Sequence, residues 1–156
     1  MVKSYSSILV PLDGSEYSKR ALDEAIELSK KLNSQLELLH VVSTSASQPP
    51  GIILSGIVKG KGATKTADEF VKKALSESHG FMQECTTYCK KKGVTATYKV
   101  IAENPAKAIL DTAKKSGAGL IVMGSQGLRG LNKIKVLGSV SRQVLENAPC
   151  PVVVVH

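Results

Sequence analysis

The sequence predicts an α/β protein: a doubly wound, five-stranded parallel sheet with helices on both faces. Three observations carry that expectation. Strand-like and helix-like segments alternate from one end of the chain to the other. The strand-like runs, such as Ile8-Leu9-Val10 and Leu120-Ile121-Val122-Met123, are short and apolar, and helical segments separate them. Turn and cap residues stand at the strand exits, as in Asp13-Gly14-Ser15 and Gly124-Ser125-Gln126-Gly127.

Ser7 to Pro11 reads as the first strand. Asp13-Gly14-Ser15-Glu16 is a turn and helix N-cap, with either Asp13 or Ser15 able to accept a free amide. Ala21, Leu22, Ala25, Ile26, Leu28 and Leu32 recur at helical spacing, and Asn33 and Ser34 end that helix. Gln35 to Val42 is a Leu-rich second strand, and Thr66 to Lys92 a long helix stopped by Gly93. In Val94 to Ile101, Val94, Ala96, Tyr98 and Val100 alternate with Thr95, Thr97 and Lys99. Such alternation marks a strand with one exposed face, hence a sheet edge. Pro105 suits the first turn of a helix running to Ser116. Gly117 and Gly119 bracket the return to the strand Leu120 to Met123, and a helix from Ser139 to Asn147 leads to the last strand, Pro151 to Val155.

These elements give the strand order 3-2-1-4-5, a Rossmann-like arrangement. Ligands of such sheets bind outside the carboxyl ends of the strands where the order reverses, here between the first and fourth strands. One crevice would then gather the Pro11-Leu12-Asp13 turn and the loop that starts at Gly124.

At 156 residues the chain has the size of one domain, 1–156, able to bury roughly 68–70% of its unfolded surface. The stretch at about 43–65 departs from the compact pattern. It is rich in Ser, Gly, Pro and Lys yet carries Ile52-Ile53-Leu54 and Ile57-Val58. It reads as a flexible insertion, either poorly ordered or an apolar cover for a ligand or partner. No apolar run approaches the ~20 residues of a membrane span, and Ile8-Leu9-Val10 is too brief for a signal peptide. A cytoplasmic protein is expected.

The net charge of +8 raises nucleic acid as a partner. The lysines are spread along the chain, however, and fall at helix ends and on polar helix faces. Only 4% of residues are aromatic, too few for a base-stacking surface, so the charge reads as solvation. Cys85 and Cys89 share one helix face with Val71, Ala74, Leu75, Ser78 and Met82, which makes them core residues rather than a metal or redox pair. Cys150 lies between Pro149 and Pro151 as a small strand-entry residue.

The chemistry concentrates in Gly124-Ser125-Gln126-Gly127 and Gly138-Ser139-Val140-Ser141. Strand, glycine loop and helix start is how backbone N–H groups are brought to bear on phosphate. Between Gly124 and Leu145 there is no acidic residue, while Arg129, Lys133, Lys135 and Arg142 are basic. Gly124 and Gly127 would let the backbone approach phosphate oxygens, and Ser139 and Ser141 would bind them at the positive end of a helix dipole. Asp13 is placed to accept from ligand hydroxyls or to hold a divalent cation through water, Gln126 to make a polar contact. Val41 and Met123 would offer apolar contact to the rest of the ligand, an adenine if the resemblance below holds, with Pro11 and Leu12 shaping the wall. Each has a plainer reading as well: the glycines as turns, Ser139 as an N-cap, Asp13 as a cap for the first helix. No Lys follows Gly138, so this is not a P-loop.

The chain resembles the universal stress proteins of the A type over essentially its whole length. The matching elements are Ile8 to Ser15, Leu39-His40-Val41-Val42, Asn104-Pro105, Leu120 to Ser125, Gly138-Ser139-Val140-Ser141 and Pro149 to Val155. Gly124 and Gly127 match the G-x-x-G start of the family's ATP-binding branch, but the interval Leu128–Leu137 is one residue longer than the nine-residue gap of that pattern. Glu103 stands where many relatives have glycine, a carboxylate able to repel phosphate or bond a sugar hydroxyl. The resemblance implies a regulatory stress-response protein that binds ATP, or AMP, with Mg²⁺ or Mn²⁺ carried on the phosphates. It also implies a homodimer through Pro151 to Val155, which would cover an apolar strand edge, and an unidentified protein partner. The alternatives are a dimeric adaptor that binds no nucleotide and a weak ATPase. His40, His79 and His156 offer no persuasive catalytic base, so hydrolysis is expected to be slow at most.

Overall fold

The computed structural model describes residues 5–44, 63–128 and 136–156, with side chains of the second helix described from residue 68. The segment 45–62, most of the expected insertion, lies outside the described residues, as do Arg129, Lys133 and Lys135. The elements are β1 (Ser7–Pro11), α1 (Glu16–Leu32), β2 (Gln35–Ser43), α2 (Ala63–Lys91), β3 (Ala96–Glu103), α3 (Pro105–Ser116), β4 (Leu120–Gly124), α4 (Ser139–Asn147) and β5 (Val152–Val155). The strands form one parallel sheet in the order β3-β2-β1-β4-β5, as the sequence predicts. The architecture is Rossmann-like.

Period-two alternation sorts the side chains of each strand onto two faces. Ile8 and Val10 of β1 join Leu36 and Leu38 of β2 against Ala21, Leu22, Ala25 and Ile26 of α1 and Met82 and Cys89 of α2. Leu9, Leu39, Ile121 and Met123 point the other way, onto Ile109 and Ala113 of α3 and Val144 of α4. Helices therefore cover both faces; β4 is buried along its whole length and β1 at all but its two end residues. Cys85 packs against the α1–α2 core, which agrees with the structural reading of the cysteine pair. Burial pushes both thiols up, Cys89 to about 11.

Element ends differ from the sequence reading for identifiable reasons. β3 begins at Ala96, not Val94, because the Val94 amide donates to the Cys89 carbonyl (3.0 Å) and closes the end of α2. It continues to Glu103, paired with Ser43 at the end of β2, so the insertion cannot start at 43. At its other limit, Ala63 already begins α2. Pro151 stays outside β5, having no N–H to donate, although its carbonyl accepts from Ile121 (3.0 Å). β3 is an edge strand, as its alternation indicates, and β5 is the other edge.

Candidate functional site: a cavity at the reversal of strand order

β1 hydrogen-bonds β2 on one side and β4 on the other, so the chain winds in opposite directions from this pair. At their carboxyl ends lies a cavity of about 600 Å³. All twelve residues expected at the site line it: Pro11, Leu12 and Asp13 from the β1 exit, Val41 from β2, Met123, Gly124, Gln126 and Gly127 from the β4 exit, and Gly138, Ser139, Val140 and Ser141 from the start of α4. The volume falls within the range of small-molecule and cofactor sites. Asp13 is the one charged side chain among the described lining residues.

The β1 exit is built by local hydrogen bonds. Asp13 Oδ1 accepts from the Ser15 amide (2.9 Å), and the turn places Gly14 at φ +82°, a left-handed conformation that glycine adopts without a Cβ penalty. Ser15, not Asp13, caps α1: its hydroxyl accepts from the Ser18 amide (3.1 Å). Asp13 Oδ2 is left facing Gly127, where a Cβ would come within 2.7 Å of it. The two loops thus touch, and glycine at 127 is what lets the carboxylate sit there.

Several residues play parts other than those the sequence suggests. A Cβ on Gly124 would lie 2.8 Å from Tyr17 Cβ and 2.9 Å from the Tyr17 carbonyl carbon, so this glycine permits close packing of α1 on β4. Ser141 is buried and donates its hydroxyl to the carbonyls of Gly124 (2.9 Å) and Ser125 (3.1 Å), tying α4 to the end of β4. Ser139 is not an N-cap; Gly138 holds that position. Gln126 Nε2 donates to the Val136 carbonyl (2.8 Å), joining the two ends of the β4–α4 loop. Glu103 does not line the cavity. Its carboxylate binds Lys107 Nζ, which also donates to Asp111 (2.9 Å), so the expected choice between repelling phosphate and bonding sugar does not arise. Arg142 is exposed and is not a lining residue.

The start of α4 differs from the other capped helices. α1 is capped by the Ser15 side chain and α3 by that of Asn104, whereas Gly138 supplies no side-chain hydrogen bond. Gly138 N–H donates to Ser125 O (2.8 Å), and the first helical bond is Arg142 N–H to Gly138 O (3.0 Å). The amides of Ser139, Val140 and Ser141 precede that bond and carry the positive end of the dipole at the cavity. Lining residues absent from the sequence-derived set include Leu39, Ala106 and Ile109, which give the cavity an apolar wall, and Asn104 and Gln143, which add amides. Asn104-Pro105 is visible as a helix start, but nothing local says that this start shares a cavity with the β4 exit.

His40 lies outside the cavity, and its Nδ1 is 2.7 Å from the Leu12 carbonyl oxygen. That contact is a hydrogen bond. Among the described residues no three His, Cys, Asp or Glu side chains cluster as metal ligands, and no helix is long and apolar enough to cross a membrane.

Comparison with known proteins gives a consistent answer. The model of the universal stress protein family matches residues 4–156. The chain is 36% identical to universal stress protein YxiE of Bacillus subtilis, over 97% of this chain and 99% of that one. Its fold superposes on the solved structure of protein MJ0577 with a TM-score of 0.80, at 26% identity and covering 97% and 96% of the two chains. It also superposes on a universal stress protein in complex with cAMP (TM-score 0.67, 23% identity, 98% of each chain). A further match is the universal stress protein from Archaeoglobus fulgidus in complex with dAMP (TM-score 0.60, 21% identity, 98% and 99%). On the family match along nearly its full length, this chain belongs to the universal stress protein family.

Proposed function

We propose that this chain, one domain over 1–156, is a cytoplasmic regulatory protein that binds an adenine nucleotide, ATP or AMP, in the cavity between the β1 and β4 exits. One observation carries the reading: the N-terminus of α4 enters that cavity behind a glycine cap, and among the described residues no side chain caps its amides. A phosphate oxygen is a matching acceptor for such a group of donors. Met123, Val41 and Ile109 supply the apolar surface a purine needs, and Asp13 is the carboxylate within reach of a ribose or of a hydrated Mg²⁺ or Mn²⁺ carried on the phosphates. Two structurally similar family members were solved with adenine nucleotides, which supports the ligand class.

The protein acts as a homodimer through β5. Val152 to Val155 form a sheet edge whose side chains are only half-buried, and pairing with the same strand of a second copy would satisfy its free backbone groups. Catalysis is at most slow, because Asp13 is a lone carboxylate beside the several positioned groups that phosphoryl transfer uses. Calorimetric titration of the full chain with ATP and Mg²⁺, repeated on Gly138→Val, tests the ligand. Binding by the parent and its loss in the variant are expected. A parent protein that gives no heat with ATP or AMP refutes the reading and leaves an adaptor that binds no nucleotide. A monomer in light scattering at micromolar concentration refutes the dimer.

A further inference from the structure

β2 presents Leu39 and Val41 to the cavity and turns His40 to the opposite face, where its ring meets Phe81 of α2 edge-on with centroids 5.6 Å apart. From there the ring reaches the exit of β1. A carbonyl oxygen can only accept, so in the 2.7 Å contact with Leu12 it is His40 Nδ1 that carries the proton. The Leu12 amide, for its part, donates to the Leu39 carbonyl (2.8 Å). Both peptide groups flanking the Leu12 Cα are therefore held by β2, one by backbone and one by His40. The next residue is Asp13, whose carboxylate abuts Gly127. Among the described residues no other hydrogen bond holds the Leu12 carbonyl, and this is where β1 leaves the ladder and its loop begins.

We propose that His40 is a positioning residue for the cavity: its Nδ1–H anchors the Leu12 carbonyl and so sets where Leu12 and Asp13 stand against Gly127. Its effect on ligand affinity rests on the nucleotide reading above; its effect on the β1 exit does not. Packing of the ring on Phe81 holds the donor in place, so α2 supports the site without touching it.

The test compares His40→Leu, which keeps apolar bulk but removes the donor, with His40→Asn, whose Nδ2 stands the same number of bonds from the backbone as the imidazole Nδ1. Two quantities are read on the full chain: ATP affinity with Mg²⁺ by calorimetry, and hydrogen exchange of the Leu12 amide by NMR, with the Ile121 amide of β4 as reference. His40→Leu is expected to weaken ATP binding and to speed Leu12 exchange by roughly tenfold each, the scale of one hydrogen bond, while Ile121 is unaffected. His40→Asn is expected to restore both to within about threefold of the parent. A His40→Leu protein that matches the parent in both measurements overturns the proposal, and so does equal impairment of the two variants, which would mean that ring packing alone matters. Should His40→Leu not fold, ¹⁵N shifts of the parent imidazole decide: the Nδ1–H tautomer is expected, and the Nε2–H tautomer overturns the proposal. If the parent binds neither ATP nor AMP, the nucleotide reading falls by that result, whereas Leu12 exchange and the tautomer still judge His40.

Discussion

Replacing Gly124 by alanine should destabilise the fold, and the cause is helix α1 rather than any ligand. The added Cβ would lie 2.8 Å from Tyr17 Cβ, 2.9 Å from Tyr17 C and 3.1 Å from Ser18 N. Carbon atoms in good contact stand about 3.5–4.0 Å apart. Two of the three obstructing atoms are backbone, so no change of rotamer relieves the overlap and α1 must move away from β4. Overpacking of this kind costs about 1–3 kcal/mol, against which the stiffer unfolded chain returns about 0.4–1 kcal/mol. Taken at mid-range, the net loss is about 1.3 kcal/mol, or roughly 3–5 °C in Tm for a chain of this length. Gly138→Ala is the matched control. Its φ is −64° and among the described residues its Cβ would meet nothing closer than 3.5 Å, so no overlap arises and the variant should lose only the roughly 0.5 kcal/mol by which glycine outranks alanine as an N-cap. Urea unfolding of the two variants, with the slope compared to the parent, reads the difference. A Gly124→Ala midpoint at or above the parent's, or an equal fall in Gly138→Ala, would refute the packing argument.

Three further outcomes follow from the same geometry. Ser141→Ala removes the buried hydroxyl that donates to the carbonyls of Gly124 and Ser125, and should lower stability by about 1–3 kcal/mol in urea unfolding; an unchanged midpoint would show that this tie is not needed. Ser15→Ala removes the side-chain cap of α1 and should cost about 1 kcal/mol, with Ser15→Gly losing only a few tenths; equal losses would point to a cause other than the cap. Burial raises the Cys89 thiol from 9.0 to about 11, so the folded state keeps its proton at a pH where the unfolded chain releases it. The stability this contributes is fully present below pH 9.0 and is lost as pH rises toward 11. Urea midpoints across that interval should fall less steeply in Cys89→Ala, and identical slopes would contradict the assignment.

Ser125 and Ser141 show how a motif can be read correctly as a place and incompletely as a mechanism. The glycine–serine pattern marked the β4 exit and the start of α4, because local chemistry decides both: glycine where backbones crowd, small polar residues where a helix begins. What each group does there depends on its neighbours in space. Ser141 donates its hydroxyl to the carbonyls of Gly124 and Ser125, Gly124 makes room for Tyr17, and Glu103 turns to Lys107. None of those partners is close enough in sequence to leave a periodic or compositional trace, except Lys107, one helical turn from Glu103.

Local patterning determined the alternation of five strands with helices and the two-faced helical cover, and it is compatible with the strand order that brings the β1 and β4 exits into one crevice. These follow from hydrophobic period and from the handedness of strand–helix–strand connections, which involve only neighbouring segments. The tertiary structure decided that the glycine-capped start of α4 lines the cavity, which lining residues come from α3, and that His40 reaches across to Leu12. Those outcomes depend on the distances between distant parts of the chain, and packing sets such distances only when both faces of the sheet are filled.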